Sequence, residues 1–232
     1  GVIVQNCLTI GSHRFWRIWY IYCFFHLLTA NFYRVLYFYK ETTKNHMRIL
    51  LVDFYDSFTY NLLHYIELQN VAVDVIRNDA KIDAEILSRY SHVVLSPGPG
   101  LPSEKKNLHE IIALCSGKRP ILGICLGMQG IGEFLGGTLE NMESVKHGVA
   151  ESLQVRNTDV LFKGMPVTFD VGLYHSWAIT DIEERYIDAI SANGTIMAVS
   201  CKVQKLYGVQ FHPESILSNY GKKLIKNFIN NA

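Results

Sequence analysis

The sequence predicts an α/β protein: a doubly wound, mostly parallel sheet with helices on both faces. Three observations predict it. From Met47 onward, short β-type apolar runs alternate with runs of helical periodicity. The first run, Arg48–Val52, reads as a buried strand. No internal repeat or low-complexity linker interrupts the pattern up to Ala232.

Taken in order, Asp56 or Ser57 can cap the helix after the first strand. Its apolar side is Leu62, Leu63, Tyr65, Ile66 and Leu68. Val71–Ile76 is a second strand, and Ile82–Tyr90 suits a short helix. His92–Ser96 is a third strand, stopped by Pro97-Gly98-Pro99-Gly100, and Leu108–Cys115 is a helix ending near Ser116-Gly117. A strand around Ile121 runs into Gly123-Ile124-Cys125-Leu126-Gly127. The helical run Met128–Leu135 follows, closed by Gly136-Gly137. The second half is richer in strands: Glu151–Val155, Val167–Val171, Ile196–Val199 and Leu206–Phe211. A last helix covers Gly221–Asn230. In such folds ligands sit at the carboxyl ends of the strands. Ser96–Gly100, Cys125 and Phe211-His212 all end strands in this reading.

The chain has 232 residues, a formal net charge of +1 and 49% hydrophobic residues. That is room for one sizeable domain, or one plus an appendage. The balanced charge gives no case for a nucleic-acid partner. Five scattered cysteines (Cys7, Cys23, Cys115, Cys125 and Cys201) form neither a disulfide framework nor a metal-binding spacing. No metal is expected, and a reducing cytoplasm fits.

Residues 1–46 differ from the rest. They hold twelve aromatic residues, five basic ones and a single acidic one, Glu41. The apolar stretch Ile18–Phe32 is broken by His26, Thr29 and Asn31, and falls short of the ~20 residues a membrane span needs. The first methionine is Met47, where the strand pattern starts at once. Residues 1–46 are therefore read as a non-native or upstream-translated extension with a weak hydrophobic segment, and 47–232 as the working domain. A membrane anchor is the alternative reading of the extension.

Strand, glycine, one residue, nucleophile, one residue, glycine, helix is the layout of a nucleophile elbow, here with Cys125 as nucleophile. The sharp turn leaves no room for side chains two residues either side of it. It also points the sulfur at the first N–H groups of a helix, which favour negative charge there. A base is available in His212-Pro213-Glu214. If the chain stays extended, residues two apart point the same way, so Glu214 can orient His212 while His212 faces the thiol. An oxyanion formed by attack on an acyl group needs backbone donors. Leu126 N–H is one, and the Gly98-Pro99-Gly100 turn is the source of the other, with Gly100 favoured because Pro99 has no N–H.

Each feature has a plainer explanation. A lone Cys is most often a small buried hydrophobe, which suits Cys115 and Cys201. A lone His is more often structural, which suits His64, His92 and His109. For Cys125 the flanking glycines and the strand-to-helix setting outweigh that reading.

These segments resemble a class I glutamine amidotransferase, over nearly all of residues 47–232. The matching motifs are Asp56-Ser57-Phe58-Thr59-Tyr60-Asn61-Leu62, Ser96–Gly100, Gly123–Gln129, Tyr174-His175-Ser176 and Gly208–Ser215. The first motif and the Phe211–Ser215 ending resemble, more narrowly, the small subunits of anthranilate synthase and aminodeoxychorismate synthase. The resemblance implies a flavodoxin-like fold and a Cys125–His212–Glu214 triad that hydrolyses glutamine through a thioester. It implies oxyanion and glutamine contacts from Gly98, Pro99, Gly100, Leu126, Gln129, Ser176 and Trp177. It also implies transfer of ammonia to a chorismate-binding synthase subunit, with Mg²⁺ on that partner and no cofactor in this chain. Two departures bear on partner contacts: Leu173 stands where relatives often carry a basic residue, and Val149 where many carry Lys after the His147-Gly148 pair. The elbow alone also permits a different cysteine amide hydrolase. The motifs do not separate the tryptophan branch from the folate branch.

Overall fold

The chain runs β1 (Arg48–Asp53), α1 (Thr59–Glu67), β2 (Ala72–Arg77), α2 (Ala84–Leu87), β3 (His92–Leu95), α3 (Leu108–Cys115) and β4 (Ile121–Ile124). It continues through α4 (Leu126–Phe134), β5 (Thr138–Val155), β6 (Thr168–Thr180), β7 (Ile187–Ser191), β8 (Ile196–Cys201), β9 (Leu206–Val209) and α5 (Gly221–Asn231). The computed structural model describes residues 47–232. The expectations for 1–46, with Cys7, Cys23 and the apolar stretch 18–32, lie outside the described residues.

The strands form one sheet in the order β2-β1-β3-β4-β9-β8-β7-β5-β6. From β2 to β9 all neighbours are parallel, and from β9 to β6 all are antiparallel. The inner parallel strands β3, β4 and β9 are buried along their whole length because both faces are covered, whereas the edge strand β2 is only partly buried. In β1, Ile49 and Leu51 join a core with Leu62 and Ile66 of α1 and Leu224, Ile225 and Phe228 of α5. Leu50 and Val52 point the other way, into a core with Leu108, Ile111 and Ile112 of α3 and Met128 and Ile131 of α4. The expected doubly wound arrangement, with helices on both faces, is what forms. Among the described residues no helix is long and apolar enough to cross a membrane.

Three boundaries differ from the sequence reading. The helix start assigned to Asp56 or Ser57 is instead Phe58, with no side-chain cap; the Asp56 carboxylate accepts the Phe58 N–H at 2.7 Å, just before the helix. Helix α2 is one turn, started by Asp83, whose carboxylate accepts the Ile86 N–H at 3.0 Å. Its continuation tightens into i→i+3 bonds, Arg89 N–H to Ile86 O and Tyr90 N–H to Leu87 O. The third difference is the antiparallel half. β5 and β6 are a long hairpin of 18 and 13 residues, where only the inner segments were expected, and β7 is an addition. The outer part of β5 is polar and exposed, and register shifts interrupt it at Asn141/Lys146 and His147/Val149. Its period-2 signal is therefore lost. In β7 the buried Asp188, held by the Asn157 side-chain amide at 2.8 Å, interrupts the apolar run.

β3, β4 and β9 are adjacent, with Leu95 opposite Gly123 and Ile124 opposite Val209. Their carboxyl ends therefore open side by side, and this places the Ser96–Gly100, Cys125 and His212 segments in one region.

His92 opens β3 as a buried imidazole. It lies edge-on to Phe228 at 5.4 Å, and Nε2 has no hydrogen-bond partner. Burial, then the charge of Lys205, pushes its pKa down to about 4. The unfolded chain takes up this proton near the ordinary value of 6.5 and the folded chain does not. The contribution is thus intact above that value and lost as pH falls through it. Between pH 7 and pH 5 this group alone should cost at most about 2 kcal/mol. Urea unfolding should show a larger loss between those pH values in the wild type than in His92→Leu, by ~1–2 kcal/mol. Equal losses would mean that His92 titrates alike in both states.

Candidate active site

The turn between β4 and α4 forces Cys125 to φ 50° and ψ −100°, a backbone conformation that costs a non-glycine residue about 1–3 kcal/mol. Its surroundings hold it there. Cys125 N–H donates to Val209 O at 2.8 Å, extending the β4–β9 ladder, and Gln129 N–H donates to Cys125 O at 2.9 Å, opening α4. The flanking glycines are required for space. A Cβ on Gly123 would meet the Gly127 carbonyl and come within 2.5 Å of Met128 N. One on Gly127 would lie 2.7 Å from Leu95 Cβ and 2.8 Å from Leu95 O. Strand β3 and the elbow thus touch backbone to backbone.

The chain leaves β9 at Val209 and turns rather than running on extended. His212 N–H donates to Gly172 O at 3.0 Å on β6, and Ser215 N–H returns to His212 O at 3.1 Å. The pairing expected from an extended His-x-Glu segment therefore arises through a turn. His212 Nδ1–H donates to Glu214 Oε1 at 2.6 Å, with both side chains almost completely removed from water. The carboxylate only accepts, so Nδ1 carries the proton and Nε2 is the free nitrogen. Nε2 is buried and makes no hydrogen bond, as does Glu214 Oε2. Burial by itself would lower the imidazole pKa. The nearby Cys125 sulfur and the hydrogen-bonded, negatively charged Glu214 carboxylate overcome it and push the pKa up to about 10. The three sequence-predicted triad residues are thus in one cluster. A buried imidazole bonded to a carboxylate lies near a thiol, an arrangement able to move a proton to and from sulfur chemistry.

Of the remaining predicted residues, Leu126 is on the elbow itself, buried as the first residue of α4, and Gly98 packs against it. A Cβ there would sit 2.6 Å from Phe54 O and 3.0 Å from Leu126 Cδ2, so this loop packs directly on the residue after the nucleophile. Ser96 Oγ secures the start of the loop, accepting Phe54 N–H at 2.9 Å and donating to Pro97 O at 2.7 Å. Pro99 and Gly100 are exposed beyond it, with Gly100 at φ 76° and the Glu104 carboxylate accepting Leu101 N–H at 3.0 Å. Gln129 is buried and donates its side-chain amide to Trp177 O at 3.1 Å, which ties α4 to β6; Ser176 and Trp177 are half-buried on that strand.

Gln210 was not singled out from the sequence, although it lies two residues before His212. It is fully buried, donates to Cys125 Sγ at 3.4 Å, and accepts from Gln129 Nε2 at 3.4 Å. A buried glutamine at the end of an apolar strand is the signal that identifies it, because such an amide needs a partner. His175 belongs to the Tyr174-His175-Ser176 motif. It is buried, and its Nδ1 meets the Trp177 carbonyl at 2.9 Å. Burial lowers its pKa, so it is a neutral imidazole beside the site. Among the described residues no three His, Cys, Asp or Glu side chains are grouped to hold a metal ion.

Comparison with known proteins follows the same segments. Residues 50–232 match the family model described as glutamine amidotransferase class-I. The anthranilate synthase component 2 of Lactococcus lactis is 37% identical over 187 residues, covering 78% of this chain and 93% of that protein. The aminodeoxychorismate synthase of Streptomyces griseus is 40% identical over 190 residues, covering 78% of this chain but only 26% of that longer protein. Among solved structures, a glutamine amidotransferase from Thermotoga maritima superimposes with a TM-score of 0.66 at 17% identity, covering 80% of this chain and 99% of the other, and this shows the fold alone.

The elbow makes a direct prediction. Gly123→Ala should destabilise the fold by ~1–3 kcal/mol in urea unfolding, because its neighbours are backbone atoms that cannot rotate away. A stability equal to wild type would show that the turn relaxes without cost.

Proposed function

This chain belongs to the class I glutamine amidotransferase family, and on that premise we propose that it is the glutaminase subunit of an anthranilate synthase. The observation that carries the reading is Cys125, held at φ 50° on the elbow beside a buried His212–Glu214 pair.

In this mechanism the Cys125 sulfur attacks the side-chain amide carbon of glutamine. The carbonyl oxygen becomes an oxyanion, stabilised by backbone N–H groups of Leu126 and of the Gly98–Gly100 loop. Protonated His212 gives its proton to the amide nitrogen, the C–N bond breaks, and ammonia leaves a glutamyl thioester on Cys125. His212 then takes a proton from water as it attacks the thioester. Glutamate departs and the thiolate–imidazolium pair returns. Glu214 keeps the proton of His212 on Nδ1 and stabilises the imidazolium. Pro99, Gln129, Ser176 and Trp177 shape the glutamine site; Gln129 does so by holding β6 rather than by offering a free amide.

Ammonia passes to a synthase partner that binds chorismate and Mg²⁺, so this chain needs no cofactor of its own. The cytoplasm is the compartment such thiol chemistry fits. The alternative, in which the same ammonia enters the folate branch, has the similarity to the Streptomyces aminodeoxychorismate synthase beside it and nothing that favours it over the first reading.

The full chain, co-purified with its synthase partner, should release glutamate from glutamine and aminate chorismate. Cys125→Ser should lower glutamine-dependent turnover by at least about a thousandfold while synthesis from free ammonia persists. Loss of both activities, or of neither, would overturn the assignment. Identification of the product as ortho-aminobenzoate or aminodeoxychorismate decides between the two branches.

A further inference from the structure

The His212 ring is braced by more than its carboxylate. Tyr174, half-buried on β6, stands against it with ring centroids 4.9 Å apart and 64° between the planes. Phe58, from the entry to α1, packs on the same imidazole at 6.1 Å and 75°, and on Tyr174 at 5.7 Å. The Tyr174 hydroxyl shares a 3.1 Å hydrogen bond with Ser215 Oγ, which also accepts Leu217 N–H at 3.2 Å. Ser218 Oγ donates to His212 O at 2.6 Å and accepts Gly172 N–H at 3.0 Å. The turn carrying the base is therefore fastened to β6 through its backbone and through an aromatic ring.

We propose that Tyr174 is a positioning residue for His212, its ring and that of Phe58 forming an aromatic brace that holds the imidazole plane between Cys125 and Glu214. The proposal rests on the triad reading above. A single hydrogen bond to Glu214 leaves the imidazole free to tilt about that bond, and tilting would carry Nε2 away from the sulfur. Flanking rings restrict that motion. Because Tyr174 acts through its ring, removal of its hydroxyl should matter little.

The test compares Tyr174→Leu, Phe58→Leu and Tyr174→Phe with wild type in the full chain. One readout is glutaminase kinetics with the partner. The other is the pH dependence of Cys125 alkylation by iodoacetamide, followed by peptide mass spectrometry, which needs no substrate. Besides Tyr174 itself, the titratable groups facing the imidazole are Cys125, Glu214, Asp56 and His175, and none of these four is altered by the variants. Tyr174→Leu should lower kcat about tenfold or more with KM changed less than about threefold. It should also move the midpoint of the alkylation profile to higher pH. Phe58→Leu should shift both in the same direction, and Tyr174→Phe should match wild type. Wild-type kcat and an unmoved alkylation profile in both leucine variants would overturn the brace. So would a Tyr174→Phe defect as large as that of Tyr174→Leu. If wild type alkylates normally but does not hydrolyse glutamine, the proposed function fails and the alkylation profiles still decide the brace.

Discussion

The backbone of Cys125 is the constraint on which the rest of the site depends. At φ 50° and ψ −100° it lies outside the conformations a cysteine adopts freely. Three neighbours impose it at once: the β9 carbonyl that receives its N–H, the helix that begins on its own carbonyl, and the close approach of Gly127 to Leu95. Each is a feature of the parallel sheet. The order β3-β4-β9 is therefore what makes the elbow possible, and the same order brings the Gly98 loop and the His212 turn alongside it. The stability of a buried parallel core offsets the strain.

The buried His212–Glu214 pair raises a second energetic problem. Two ionisable groups are removed from water with one strong hydrogen bond between them, and Glu214 Oε2 and His212 Nε2 have no other partner. Such pairs are seldom net stabilising compared with apolar packing. Here the arrangement makes sense through chemistry. In the proposed mechanism the unpaired Nε2 is the atom that exchanges a proton, and a carboxylate fixed on Nδ1 removes the competing tautomer. The raised pKa of the imidazole follows from that geometry, because the nearby sulfur and the hydrogen-bonded carboxylate outweigh the penalty of burial.

The parallel half and the grouping of Cys125, His212 and Glu214 were legible in the sequence because their physics is local. Apolar runs such as Ile49–Val52, glycines at fixed offsets around Cys125, and His-Pro-Glu after an apolar run each carry their own signature. The antiparallel half was only partly legible. The outer part of β5 is exposed and bulged, so burial imposes no alternation on it, and β7 carries a buried aspartate whose partner, Asn157, is 31 residues away. Gln210 escaped notice for a related reason. Its importance comes from Cys125 and Gln129, neighbours brought to it by the sheet across 85 and 81 residues. The mode of His212–Glu214 pairing was also misjudged: the contact is local, but the bonds of His212 N–H and O to Gly172 and Ser218 turn the chain instead of extending it.

Those non-local contacts change the role of the antiparallel extension. The Trp177 carbonyl on β6 accepts from Gln129 Nε2, Gln129 Nε2 also donates to Gln210 Oε1, and Gln210 Nε2 donates to Cys125 Sγ. A primary amide has a fixed plane, so the placement of one end sets the direction of the other. The orientation of the donor at the sulfur therefore depends on where β6 sits. Gly172 on the same strand anchors the turn that carries His212. Cys125 and His212 are thus both referenced to a strand outside the parallel core. A parallel sheet by itself would supply the strained elbow, whereas the reactive geometry between sulfur and imidazole needs the hairpin as well.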